Sequence, residues 1–263
     1  MDMPQPINKI LPNPRVILDT DVLQDKPELA ALVVKIFAVW ANIERRLSVL
    51  LVHLLGADQV HAHAIFSILQ TQGLQTKAME AAAKSALSSD DLEMFNAYLT
   101  VTNAVQKTRN RLAHWSWGKC QQRPDLLVLG DPDSLKERDV RVAAHVQTSR
   151  PGGSLYELAQ TGLFDLSRFY GYTKEDLERE VRDLLEADQI GFLFQNYLDP
   201  SFTVVHAGYF DEPDDPKVIR AQVSQQLNEK RLFREALDRI RANPKSARPQ
   251  PPISSPPSAG GSS

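Results

Sequence analysis

Apolar residues recur every three or four positions from Leu29 to Leu54, through Leu32, Val33, Ile36, Trp40, Ile43, Leu47, Leu50 and Leu51. That period sets them on one side of an α-helix. Asp25 with Glu28 reads as a capping box at its start, Pro27 suits its first turn, and Gly56 supplies the stop. Asp58 to Gln72 predicts a second helix ending at Gly73, and Leu74 to Leu87 an alanine-rich third. Ser88-Ser89-Asp90-Asp91 caps a long fourth helix, which runs to about Trp115 and is closed by Gly118. Helices joined by such short turns predict an up-and-down bundle.

The pattern changes after Gly118. Leu126-Leu127-Val128-Leu129, a turn at Gly130-Asp131-Pro132-Asp133, and Val140 to Val146 predict a β-hairpin. Pro151-Gly152-Gly153 breaks the chain. Thr173 caps a helix to about Ala187, and Gln189 to Leu198 reads as another. Asp215-Pro216 opens a last amphipathic helix with Ile219, Val223, Leu227, Phe233, Leu237 and Ile240 on one face. The expected fold is mainly α, an up-and-down helical bundle with a small β-hairpin insertion and additional C-terminal helices. Its parts are a proline-rich extended arm at 1–24, the bundle at 25–118, an accessory α/β region at 119–242 packing on the bundle, and a tail at 243–263. The tail is almost wholly Pro, Ser, Gly and Ala with a few basic residues, and such a composition predicts disorder. No internal repeat is present.

Length and composition set few limits beyond this. The 263 residues are 42% hydrophobic and 24% charged, an ordinary globular balance. A single cysteine, Cys120, excludes an internal disulfide and fits a reducing compartment. Neither a signal pattern nor a bilayer-spanning apolar run is seen, so the expectation is a cytoplasmic protein without membrane contact. The net charge of −3 argues against a general polyanion binder. Yet residues 94–124 contain no acid and carry Lys107, Arg109, Arg111, Lys119 and Arg123. A basic face on an acidic protein suggests one focused anionic ligand; a solvated surface cluster is the plainer reading.

Winding the helices at about 100° per residue sets two charges inside apolar arcs. Glu44 lies among Trp40, Ile43, Leu47 and Leu51 on the first helix. On the fourth, Leu92, Phe95, Leu99, Thr102, Val105 and Ala113 define an inner face that includes Arg109. A buried charge needs a partner, so one expectation is that Glu44 and Arg109 meet across the bundle; the other is that both snorkel outward. Beside Arg109 runs a stripe of Asn96, Asn103 and Asn110, with His114 one turn beyond Asn110. That stripe reads as a solvated face or as the lining of a polar site.

Arg109-Asn110-Arg111-Leu112-Ala113-His114, at the end of a bundle helix, resembles the R-x(4–6)-H motif of HEPN domains. The polar residue after the arginine is typical of that motif. An aromatic-rich first helix with an inward glutamate, followed by a long helix ending in the motif, is also similar. The resemblance covers about residues 27–118. Arg46 with His53 and Arg138 with His145 fit the same spacing. Neither pair has the following asparagine or the helix-end position, and Arg46 and His53 are expected on the outer side of the first helix.

The resemblance implies a metal-independent endoribonuclease without a cofactor, in a toxin, stress or phage-defence setting that includes an antitoxin as a partner class. It assigns Arg109, Asn110 and His114 to catalysis with Glu44 in support; the polar stripe adds Asn103, and the acid-free stretch adds Lys107, Arg111 and Lys119 as expected RNA contacts. It also implies a homodimer whose facing motifs form one composite site. The chemistry suits these groups: His114 can exchange a proton near neutral pH, and Arg109 offers a charged fork to phosphate oxygens. Trp115 and Trp117 suit stacking on RNA bases, or anchoring a core or interface. His61 and His63 fall on opposite sides of a helix, which disfavours shared metal binding. No Gly-rich phosphate loop, zinc-spaced cysteine set or G-x-S-x-G elbow occurs. The alternatives are a non-catalytic HEPN-like module that binds RNA or protein, and a helical scaffold whose function lies in the C-terminal half.

Overall fold

The computed structural model of the chain describes residues 4–69, 71–148, 165–200 and 215–243, with no account of side chains 145–148. The elements run β1 (Gln5–Pro6), α1 (Ile7–Ile10), β2 (Val16–Leu18), α2 (Pro27–Leu55), α3 (Gln59–Ile68), α4 (Gln72–Ala86), α5 (Ser89–His114), β3 (Ser116–Cys120), β4 (Arg123–Gly130), α6 (Pro132–Thr148), a 3₁₀ turn (Leu166–Arg168), β5 (Phe169–Tyr172), α7 (Lys174–Leu198), α8 (Pro216–Glu229) and α9 (Arg231–Ala242). The expected break at 151–153 and the tail from 244 onward lie outside the described residues.

A mainly α fold with a small β part is what the chain adopts, but the helices group differently from the expected consecutive bundle. α2 packs most extensively on α7, and α5 packs on α7 and α9. α7 presents Leu177, Val181, Leu184, Ile190 and Phe194 to this core, all buried. A single hydrophobic cluster therefore runs from Val22 to Leu237, across the boundary expected at 118. α3 and α4 lie against α2 as smaller additions.

Local signals explain most helix ends. Gly56 adopts φ 56°, its N–H donates to the His53 carbonyl at 3.2 Å, and the Ala57 N–H reaches Val52 at 3.4 Å. That pair of bonds closes α2 in a left-handed cap, for which glycine has no steric penalty. The expected Asp25–Glu28 capping box does not form: Lys26 is the N-cap, without a side-chain bond, and Glu28 instead pairs with Lys174 at 2.7 Å. Asp58, Thr71 and Ser88 each cap the following helix. Thr173 and Asp176 form a reciprocal capping box on α7, which continues unbroken through Ala187 to Leu198. The expected last helix is two, α8 and α9, parted at Lys230 by an extended residue (ψ 124°).

The five strands are all antiparallel in the order β1-β5-β4-β3-β2. The hairpin is β3–β4, turning at Gln121-Gln122, so Gly118 lies within a strand rather than at a helix stop. Its Cβ position would lie 2.6 Å from the Ile17 carbonyl, which leaves no space for a side chain beside β2. The expected second strand over Val140–Val146 is instead part of α6, opened by Asp131, whose side chain accepts from the Asp133 N–H at 3.0 Å. The arm expected at 1–24 supplies β1, α1 and β2, and both sheet edges come from it. Leu127 and Leu129 face the helices with Tyr172, while Leu126 and Val128 face a second cluster with Ile7, Cys120 and Phe169. The unbroken Leu126–Leu129 run is apolar because both faces of this strand are covered.

Candidate functional site

α5 ends where the helices meet the sheet. The Trp115 N–H donates to the Arg111 carbonyl at 2.9 Å, and the chain passes at once into β3. The Trp117 indole donates to the Leu112 carbonyl at 2.9 Å, so the last turn is tied to the strand that follows it. Asn103, Lys107 and His114 are exposed, with Asn96 and Asn110 half-buried along the same stripe. Lys107 and His114 make no ion pair among the described residues, and the stripe faces outward as the helical period implies.

Arg109 and Arg111 flank this stripe from opposite sides. Arg109 Nη1 donates to Asn110 Oδ1 at 3.1 Å, and its guanidinium carbon lies 6.0 Å from the Phe37 ring centre and 5.8 Å from that of Trp40. Its Nε is buried without a hydrogen-bond partner among the described residues. The expected Glu44–Arg109 ion pair is not formed; Glu44 is half-buried on α2, and aromatic faces take the place assigned to it. Ala113, expected on the inner face, is exposed, and Thr108 and Leu112 are buried in its stead.

Arg111 is held by Trp115 and by residues from the region after Gly118. Its guanidinium carbon lies 4.5 Å from the Tyr170 ring centre and 5.2 Å from Trp115, and Nη1 donates to the Tyr172 hydroxyl at 3.4 Å. Tyr170 and Tyr172 are alternate residues of β5, so they project from the same face of the strand. Glu180 on α7 completes the surroundings. Burial pushes its carboxyl above the ordinary glutamate range, against a Thr108 hydrogen bond and the Arg111 charge that both act downward. Burial likewise raises the Tyr172 phenol. Tyr170, Tyr172 and Glu180 were not singled out from sequence. The aromatic-Gly-aromatic alternation of Tyr170-Gly171-Tyr172 before a helix cap was the available signal.

The basic stretch is thereby narrowed. Lys119 donates to Asp19 at 2.6 Å and Arg123 is paired with Asp125, so two of its five cations are neutralised locally. Arg109 and Arg111 rest on aromatic rings without an ion pair among the described residues, and Lys107 extends from the same helix. Beyond Trp115 lies an open cavity of about 690 Å³, lined by Leu18, Asp19, Thr20, Trp115, Ser116 and Trp117.

The other spacing matches differ. Arg46, expected to face outward, is half-buried against α7 and bound to Asp188, and His53 lies 3.6 Å from Asp199. The His145 side chain lies outside the described residues. Among the described residues no three His, Cys, Asp or Glu side chains group as metal ligands would, and no helix is long and apolar enough to cross a membrane. No protein-family model matches the chain, and no match is found among curated proteins or solved structures.

Proposed function

We propose that the chain is a metal-independent endoribonuclease of the HEPN type, with Arg109, Asn110 and His114 as its catalytic set. The observation that carries this reading is an exposed histidine at a helix end, flanked by two arginines that rest on aromatic rings and form no ion pair among the described residues. Guanidiniums seated on aromatic rings keep their charge and their forked donors for phosphate oxygens. In the proposed reaction the ribose 2′-oxygen attacks the adjacent phosphorus, and the bond from phosphorus to the 5′-oxygen breaks. A base takes the 2′-hydroxyl proton and an acid gives one to the leaving 5′-oxygen, leaving a 2′,3′-cyclic phosphate and a 5′-hydroxyl. His114 is the exchangeable group for one of these transfers, and the arginines stabilise charge on the phosphorane. Two copies with facing α5 ends supply a second imidazole for the other transfer. Lys107 and Arg111 would hold flanking phosphates, with Asn103 farther along the stripe. Lys119, already bound to Asp19, is a weaker candidate for RNA contact.

The second reading is a non-catalytic RNA- or protein-binding module. The seat of Arg109 on Phe37 and Trp40 favours it, because a structural arginine would have the same surroundings. Incubation of the purified protein with single-stranded RNA in EDTA separates the two. Cyclic or derived 3′-phosphate ends are expected; strict dependence on a divalent ion, or 3′-hydroxyl ends, overturns the mechanism.

A further inference from the structure

The cavity beyond Trp115 is not used by the cleavage chemistry, yet it adjoins it in the chain. His114 and Trp115 are consecutive, so their Cα atoms are about 3.8 Å apart. Trp115, Trp117 and Leu18 line it together with the polar residues Asp19, Thr20 and Ser116. The Trp117 indole is fixed by its bond to the Leu112 carbonyl, and Trp115 is wedged at 5.6 Å from the Tyr170 ring centre, tilted by 58°. Both rings are therefore set in place before any ligand arrives. Asp19 accepts from Lys119 at 2.6 Å and from the Asp21 N–H at 2.9 Å, and these contacts hold its carboxyl below the usual range. It stays an acceptor at neutral pH. Arg111 adjoins Trp115, its guanidinium carbon 5.2 Å from the ring centre.

Two tryptophans fixed in place, polar residues beside them on the lining and a neighbouring guanidinium match the three parts of a nucleotide: base face, base edge and phosphate. We infer that this cavity binds a nucleobase, and that the base belongs to single-stranded RNA threaded past His114. The RNA assignment rests on the ribonuclease reading above; the base-binding site does not. A duplex is unsuited, because a stacked base cannot enter a pocket lined by tryptophans.

The test uses the full chain and its own tryptophans. Adenosine, guanosine, cytidine and uridine monophosphates, with ribose 5-phosphate as the baseless control, are titrated while the indole N–H signals are followed by NMR. Saturable shifts at Trp115 and Trp117, without change at buried Trp40, are expected for at least one nucleotide and not for ribose 5-phosphate. Thr20 lines the cavity and is exposed, so Thr20→Trp should fill it without disturbing the core. That variant should keep the wild-type unfolding temperature and bind the nucleotide at least tenfold more weakly. Equal binding of ribose 5-phosphate, or wild-type affinity in Thr20→Trp, overturns the site. A short 2′-deoxy-substituted oligoribonucleotide, which cannot be cleaved, should bind more tightly than the mononucleotide. Equal affinity would indicate a free nucleotide and overturn the RNA assignment. If nucleotides bind as described but RNA is never cut, the base site stands and the ribonuclease reading falls. Cleavage that persists when Thr20→Trp leaves nucleotide affinity unchanged removes the base site alone.

Discussion

Arg46 on α2 donates through Nε to Asp188 on α7 at 2.5 Å, and the same side chain reaches Gln195 at 3.4 Å. Gln195 returns a bond to the Arg46 carbonyl at 3.1 Å. The two charged side chains are only 15% and 18% exposed, so the pair joins the most extensively packed helices where water screens it weakly. Asp188→Ala should cost about 2 kcal/mol, below the figure for a fully buried pair because some solvent remains. A double-mutant cycle with Arg46→Ala, read by denaturant unfolding, should return a coupling of roughly 1–2 kcal/mol. Purely additive losses would show that the contact contributes nothing.

Glu44 and Arg109 should behave in the opposite way. Arg109 rests on Phe37 and Trp40, and Glu44 forms no ion pair with it. Glu44→Ala should cost less than about 1 kcal/mol, as for other partly exposed positions without a partner. Arg109→Ala should cost more, through lost aromatic contact and packing. The two losses should add within about 0.5 kcal/mol. A coupling well above that in the same unfolding assay would restore the cross-bundle pair.

These two arginines show what the sequence could convey. Helical periodicity located α2 and α5 and placed Asn103, Lys107 and His114 on an outward stripe, because period fixes which side of a helix a residue occupies. It says nothing of which element covers that side. α7 lies far along the chain, so Arg46 looked solvated and its partner Asp188 was out of sight. The same non-locality hid Tyr170, Tyr172 and Glu180, which reach Arg111 only through the sheet. Val140, Val142 and Val146 suggested a strand, yet the Asp131–Pro132 start and the charges between Lys136 and Arg141 suit the helix that forms. β1 and β2 are too short to leave a pattern of their own.

Glu180 gives the site a pH signature. Its carboxyl is raised by burial, so the folded state favours the protonated acid. An acid raised on folding contributes stability below its unfolded pKa, and that contribution is lost as pH rises through the folded value. Glu180→Gln mimics the protonated form. It should be more stable than wild type at about pH 7, with the difference vanishing toward about pH 4. Thermal unfolding of both proteins across this range reads the effect. A Gln variant less stable at neutral pH would mean that Arg111 depends on the ionised carboxylate.

His114→Ala is the most direct test of the catalytic assignment. The side chain is exposed in the last turn of α5, and the end of that helix is held by other groups: the Trp115 N–H on Arg111 and the Trp117 indole on Leu112. Removing the imidazole should therefore leave no core cavity, and the unfolding temperature should stay close to wild type. Loss of a general acid or base typically lowers the rate by about 10²–10⁴-fold. RNA cleavage should fall by that order while molecular mass in solution is unchanged. Asn110→Ala should give a smaller loss, because it frees the Arg109 guanidinium from its 3.1 Å contact without removing a proton-transfer group. A structural histidine predicts a different outcome, in which stability or assembly falls along with activity. Full cleavage by a well-folded His114→Ala protein would falsify the assignment and favour the binding-module reading.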